Sequence, residues 1–254
     1  MMLPYTQFVD APKTSRGRVS YTIYTFDIEV TSLFHYDDGW DVFRDNMPPS
    51  AYSDIERVGV PYIWMLGVEA DGKCNVYYGR EFKDCEKIFK QIADPDYKKF
   101  VFIHNAGYEF QFLIDIFQKY TITDMCARTP RKPIRWTVKE WNIEFRCSYM
   151  LTNMSLERAA ERYTDLRKLT GSLDYNVKRS SKTRLTQEEL SYCEYDIRTL
   201  QAIMEHFREE YGHLKDIPLT QTGEVRKELR KRVSMDYIYK IRKQTASNAH
   251  VQQL

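Results

Sequence analysis

Residues 19–30 alternate Tyr, Thr, Ile and Phe with polar positions, and apolar density rises toward Phe26 and Ile28, the pattern of a strand entering a core. Residues 60–68 and 75–78 read as two further strands. Between them, Asp71-Gly72 predicts a hairpin turn, because both residues tolerate positive φ. Residues 82–92 have helical spacing. Residues 100–103 form a short continuous apolar run that leads directly into a second helical pattern, 107–120. Strands are expected at 134–138 and 143–147, around a polar turn at Glu140. Residues 31–57, acidic, aromatic and carrying Pro48-Pro49, read as a long loop, and the polar stretch 171–184 reads as another.

Ser155 fits an N-cap for a helix carrying Leu156, Ala159, Ala160 and Tyr163. Thr186-Gln-Glu-Glu189 has the form of a capping box and opens a long amphipathic helix through Leu190, Ile197, Leu200, Ile203 and Phe207. A strongly basic helix is expected after Gly212. The order of elements predicts an α/β fold, a mixed central sheet of about five strands flanked by helices. The expected organisation is one domain over residues 1–215 and a basic, helical extension over 216–254.

Composition narrows the class. At 254 residues with 43% hydrophobic, 14% aromatic and 29% charged positions, the chain can bury one sizeable core. No apolar run reaches membrane-spanning length, and the N-terminus lacks the apolar core of a secretion signal, so no membrane partner is expected. The five cysteines are odd in number and form no C-x-x-C pair, which reads as reduced thiols in the cytoplasm. A net charge of +2 announces no nucleic-acid partner by itself. Two local clusters say more: the basic run from Val225 onward, and Arg128, Arg131, Lys132, Arg135 and Lys139 with Trp136 and Trp141 interleaved. Either could equally be a solvated face.

The chemistry sits in three short segments: YTFDIEV with Asp27 and Glu29, FIHNAGYEFQFL with Glu109, and SYCEYDIRTL with Tyr192 and Asp196. Residues two apart on a strand share a side, so Asp27 and Glu29 project together. Asn105 and Glu109 bracket the start of a helix, where an acid meets the favourable end of the dipole. Tyr192 and Asp196, four apart on a helix, share a face. Taken singly, these are a surface strand, a helix cap and an ordinary amphipathic helix. Four convergent carboxylates are costly unless cations sit among them, and two hard divalent metals are the usual solution.

In this chain order the three segments resemble the exonuclease motifs of family B DNA polymerases of the protein-primed phage type. EFRCSYMLTNMSLERAA, KLTGSLDY and IPLTQTGEVRKELRK add to the likeness, which covers roughly residues 20–232. The resemblance implies a ribonuclease H-like fold and a 3′–5′ exonuclease of the tyrosine class that hydrolyses single-stranded DNA from its 3′ end. Two divalent ions, Mg2+ or Mn2+, would be held by Asp27, Glu29 and Asp196, with Glu109 acting through waters and Tyr192 bonding the attacking water. Asn105, Tyr108, Phe112, Ser148, Tyr149 and Thr31 would line the DNA channel. The lysine by which the family stabilises the cleaved phosphate aligns with Thr170, and of the two nearby lysines, Lys168 and Lys178, Lys168 is expected to take that role.

The sequence departs from the family at Glu109, where relatives mostly carry aspartate, and at Val30, which displaces a threonine to position 31. Position 191, where the related histidine class carries its His, is Ser. His104 at a strand end reads as structural. Polymerase palm motifs do not occur, so DNA synthesis is not expected of this chain. Its partners would be a DNA 3′ end and, by resemblance, a polymerase domain or subunit and a terminal priming protein, in a host cytoplasm if phage-encoded. Two other readings remain open: a module that binds DNA ends or replication proteins without cleaving, and a nuclease acting on RNA.

Overall fold

The computed structural model describes residues 18–43, 55–130, 132–166 and 173–232. In chain order the elements are β1 (Arg18–Tyr36), β2 (Gly39–Asp41), β3 (Arg57–Ala70), β4 (Lys73–Gly79), α1 (Asp84–Ile92), β5 (Tyr97–Ile103), α2 (Ala106–Phe117), β6 (Ile122–Thr129), β7 (Lys132–Val138), β8 (Ile143–Cys147), α3 (Ser148–Thr152), α4 (Leu156–Tyr163), α5 (Gln187–Tyr211) and α6 (Gln221–Arg232). The strands form one mixed sheet in the order β4-β3-β1-β5-β8-β7-β6, with β2 paired to β1. Strand β5 runs parallel to both β1 and β8, and the other pairs are antiparallel.

The sheet has eight strands where the apolar pattern suggested about five. Strand β1 does not stop at Val30 but runs six residues into the expected loop. It then turns back through Gly39 into β2, whose three residues carry no period a sequence could show. Strand β6 is a half-exposed edge, ITDMCART, held by pairing with β7 rather than by an apolar face. Residues 44–54 of the expected loop lie outside the described residues.

Strand β1 is central, and its two faces go to different layers. Tyr24, Phe26, Ile28 and Val30 pack with α1 and α2 around Phe89, Leu113, Phe117, Trp136 and Phe145. On the opposite face, Val19 and Ile23 join Phe100, Phe102, Leu200, Ile203 and Phe207 under α4 and α5. Trp136 and Trp141, the aromatics interleaved with the basic cluster, are core: Trp136 is fully buried and stacks on Phe145 at 5.1 Å between ring centroids. Arg128, Lys132 and Lys139 point outward from them, while Arg131 lies outside the described residues.

Helix α5 begins as its sequence directs. Thr186 Oγ1 accepts from the Glu189 backbone N–H, and Glu189 reaches back to the Thr186 N–H at 2.7 Å, completing the capping box. It ends at Gly212, whose φ of 77° closes the helix in the left-handed region that glycine adopts without strain. Ser155 caps α4 by accepting from the Arg158 N–H. Residues 173–184 form a loop without helix or strand, and none of the described helices is long and apolar enough to cross a membrane.

Candidate metal centre

On β1 the side facing α5 is apolar at Ile23, hydroxylic at Thr25 and acidic at Asp27 and Glu29. The alternation carries both carboxylates toward the helix. Opposite them, the pairing register with β3 shifts between Glu29 and Val30: Glu29 faces Ile63 and Val30 faces Pro61, so Tyr62 is the extra residue of a bulge. Pro61 suits that position because it has no ladder N–H to lose.

Helix α5 approaches β1 closely. Thr25 Oγ1 donates to the Ile197 carbonyl at 3.5 Å. A Cβ at Gly67 would stand 2.3 Å from Thr25 Oγ1 and 2.6 Å from Ile197 Cγ2, so the neighbouring strand needs glycine there for the helix to sit this low. Asp196, the residue before Ile197, is thereby delivered to Asp27 and Glu29. One ligand atom from each of Asp27, Glu29 and Asp196 lies within 4.8 Å of the others.

Glu109 arrives from the first turn of α2. The chain enters that helix through Asn105 at φ 62° and ψ 44°, left-handed backbone that costs an asparagine little, and the Asn105 side chain makes no capping hydrogen bond. Glu109 is 4% exposed, and its Oε2 has no hydrogen-bond partner among the described residues. It lines, with Asp27, Glu29, His104, Asn105, Tyr108, Leu156, Tyr175 and Asp196, a cleft of about 420 Å³.

The electrostatics are those of a cage short of positive charge. Burial, then the Asp196 carboxylate, raise Asp27 to about 7 from an ordinary 3.8, against a lowering hydrogen bond from Ile28. Burial and the charges of Asp27 and Asp196 push Glu29 well up, while the Arg179 guanidinium pulls it back. Burial and Asp27 push Glu109 the same way. Three carboxylates that resist ionising together, one with an unpartnered buried oxygen, are a donor set suited to hard divalent cations.

This fixes the sign of a pH dependence. In the metal-free chain the folded state keeps a proton on Asp27 that the unfolded state releases between about pH 4 and 7. The unfolded state therefore binds fewer protons in that window, and stability falls as pH rises through it. Denaturant melts in EDTA should show lower stability at pH 7.5 than at pH 5, and Mn2+ should restore it at the higher pH. A flat metal-free profile would contradict the cage.

The remaining candidates divide. Tyr192 stands one turn before Asp196, near the phenol of Tyr175, and with Asp196 and Leu156 it lines a pocket beside the cleft rather than the cleft itself. Burial and Asp196 raise Tyr192, so it stays protonated at neutral pH. Tyr108 is 39% exposed at the cleft, with its ring edge-on to Phe112 at 5.2 Å. Phe112 itself leans toward β3, where a Cβ on Gly59 would meet its ring at 2.8 Å, and it does not line the cleft.

Ser148 is buried beneath the cleft wall, 2.9 Å from Nδ1 of His104. Burial lowers His104 to about 4, so the ring is neutral at neutral pH where it lines the cleft. Tyr149 is partly exposed, edge-on to His104 at 5.7 Å, and outside the cleft lining. Thr31 is 3% exposed: its hydroxyl donates to the Arg179 carbonyl at 2.9 Å and accepts from the Arg179 N–H at 3.1 Å. That pairing occupies the hydroxyl expected to meet DNA. Lys168 and Thr170 lie outside the described residues, and Lys178 donates to the Trp40 carbonyl at 2.7 Å.

Two residues of the site went unnamed in the sequence reading. Tyr175, at the end of KLTGSLDY, lines the cleft near Tyr192. Arg179 is 5% exposed and acts on Glu29. The former could have been found from that motif; the latter sits in a polar run with nothing local to mark it.

No protein-family model matches the chain, and no curated protein matches it. Solved structures do. The chain superposes on "Phi29 DNA polymerase complexed with primer-template DNA and incoming nucleotide substrates (ternary complex)" with TM-score 0.55 and 12% identity, over 76% of this chain and 32% of that one. "Phi29 DNA polymerase complexed with single-stranded DNA" gives TM-score 0.54 at 12% identity with the same coverage. The likeness is one of fold, and the chain spans 32% of the polymerase's length.

Proposed function

We propose that this chain is a metal-dependent 3′–5′ exonuclease acting on single-stranded DNA ends, with a ribonuclease H-like fold related to the proofreading part of phage-type family B polymerases. The observation that carries the reading is the convergence of Asp27, Glu29 and Asp196 within 4.8 Å, beside the unpartnered oxygen of Glu109, in one open cleft. The likeness to a polymerase described in complex with single-stranded DNA supports the choice of substrate. In this reading the nuclease domain ends near Lys215, and residues 216–254 are a basic extension toward a polymerase domain.

Asp27, Glu29 and Asp196 would hold two divalent ions, Mg2+ or Mn2+, with Glu109 beside them. When bound, such ions supply Lewis-acid charge at the phosphate and a water nucleophile ionised near neutral pH. The chain's own residues do the rest. Tyr192, protonated and one turn from Asp196, orients the attacking water by hydrogen bond rather than taking its proton. Tyr108, Leu156 and Asn105 line the approach, where an aromatic face and an apolar edge receive the terminal bases with little sequence preference.

Tyr192→Phe keeps the ring and removes the hydroxyl. The expected loss is about tenfold in single-turnover rate, the worth of one hydrogen bond of about 1.4 kcal/mol, with little change in DNA affinity. An unchanged rate would remove Tyr192 from the site's chemistry.

The reading as a whole is tested by timed digestion of matched DNA and RNA oligonucleotides, labelled at either end, with Mg2+, Mn2+ or EDTA. A ladder shortening from the DNA 3′ end, lost in EDTA, is expected. No product with either metal, together with DNA binding that survives EDTA, would replace the nuclease with an end-binding module. RNA cut as fast as DNA would overturn the assigned substrate.

A further inference from the structure

Strand β1, helix α2, the loop carrying Tyr175 and helix α5 reach the cleft from separate parts of the chain, and one buried residue touches three of them. Arg179 lies in the loop between Leu173 and α5. Its backbone is clasped by Thr31, two residues beyond Glu29 on β1 and on the same side of that strand. Its guanidinium bonds Glu189 through Nε at 2.9 Å and Nη2 at 2.6 Å. Glu189 is the capping-box glutamate that starts α5, the helix of Tyr192 and Asp196.

The third nitrogen, Nη1, donates to the carbonyls of Asp174 at 2.5 Å and Val177 at 3.3 Å, which closes the loop carrying Tyr175. The guanidinium also lies over the ring of Tyr62, the bulged residue opposite Glu29, at 5.9 Å. Every polar nitrogen is used, and the ion pair is sheltered, with the Arg179 side chain 4% and that of Glu189 20% exposed.

We propose that Arg179 is the positioning residue of the metal cage: it fixes the α5 carboxylate and the Tyr175–Tyr192 pair against the β1 carboxylates. This rests on the metal-dependent reading given above. A planar fork with five donors can bind one carboxylate and two carbonyls at fixed angles, whereas an ammonium cannot. The ordinary alternative is a loop clip that stabilises the fold and leaves the cage indifferent. Partners that orient metal ligands change metal affinity or activity by roughly 10–100-fold when removed, and a loop clip does not.

The experiment uses the full chain, stripped of metal, and measures Mn2+ affinity by calorimetry beside single-turnover digestion at saturating Mn2+. Arg179→Met should weaken Mn2+ binding by about tenfold or more and slow cleavage comparably, with DNA affinity in EDTA unchanged. Arg179→Lys, which keeps the charge and loses the fork, should recover little of either. Glu189→Gln removes the ion pair but leaves the capping oxygen. It should reproduce part of the defect and add nothing to Arg179→Met, and it serves if that variant does not fold.

Mn2+ affinity and rate at the wild-type level in Arg179→Met or Glu189→Gln, measured below the melting temperature, overturn the proposal. So does full recovery by lysine. A wild-type chain that binds Mn2+ but leaves DNA intact overturns the nuclease reading alone, and Mn2+ affinity still decides on Arg179. A wild-type chain that binds no Mn2+ overturns both.

Discussion

Replacing Asp27 and Glu29 together by alanine is expected to abolish 3′ shortening, by at least about a thousandfold, while the metal-free protein melts higher than wild type. The two effects have one cause. Asp27 and Glu29 sit within reach of Asp196 with burial and mutual repulsion opposing their ionisation. Without cations they cost stability at neutral pH, and Asp27 alone, raised from 3.8 to about 7, corresponds to a penalty on the order of 4 kcal/mol. With cations the same charges become the site. Losing two of three cage carboxylates removes a transition-state charge clamp, for which a thousandfold is about 4 kcal/mol. The check pairs digestion of a 3′-labelled oligonucleotide with thermal melts in EDTA and in Mn2+. Wild type should gain stability on adding Mn2+ and the double variant should not. If the variant still cuts, or melts lower than wild type in EDTA, the acids are not the metal cage.

How much of this was legible in the chain depends on which forces place each residue. The spacing of Asp27 and Glu29 and of Tyr192 and Asp196 reports local geometry, because strand and helix periods follow from the backbone alone. The capping box and the Ser155 cap were readable for the same reason. That strand and helix meet at these residues was not local information. It depends on Gly67, which reads as an unremarkable strand glycine until Ile197 and Thr25 are seen against it. The strand count was missed where tertiary pairing outweighs pattern: β2 and β6 are polar or short and exist through their neighbours. Trp136 and Trp141, interleaved in sequence with the cations of a basic cluster, fill the core. Thr31 lines up with Glu29 in sequence, yet its hydroxyl is committed to Arg179, a partner 148 residues away.

Glu109 is where sequence and structure press on each other most. The family it resembles mostly carries the shorter acid there; here the longer side chain lines the cleft, 4% exposed, with Oε2 unpartnered among the described residues. An unsatisfied buried carboxylate next to Asp27 is expensive to keep unless it meets cations or their waters. Glu109→Gln keeps the volume and removes the charge. It should slow single-turnover cleavage by about a hundredfold, the scale of one preorganised electrostatic contact of about 2.7 kcal/mol. The same substitution should raise metal-free stability at pH 7.5, because Glu109 and Asp27 no longer repel. Glu109→Asp separates reach from charge. Withdrawing the carboxylate by one methylene from a helix fixed by Leu113 and Phe117 should cost rate while retaining the metal-free pH dependence. Cleavage by Glu109→Gln at the wild-type rate in saturating Mn2+ would show that three carboxylates suffice. Glu109 would then be a buried acid whose only measurable effect is to destabilise the metal-free protein.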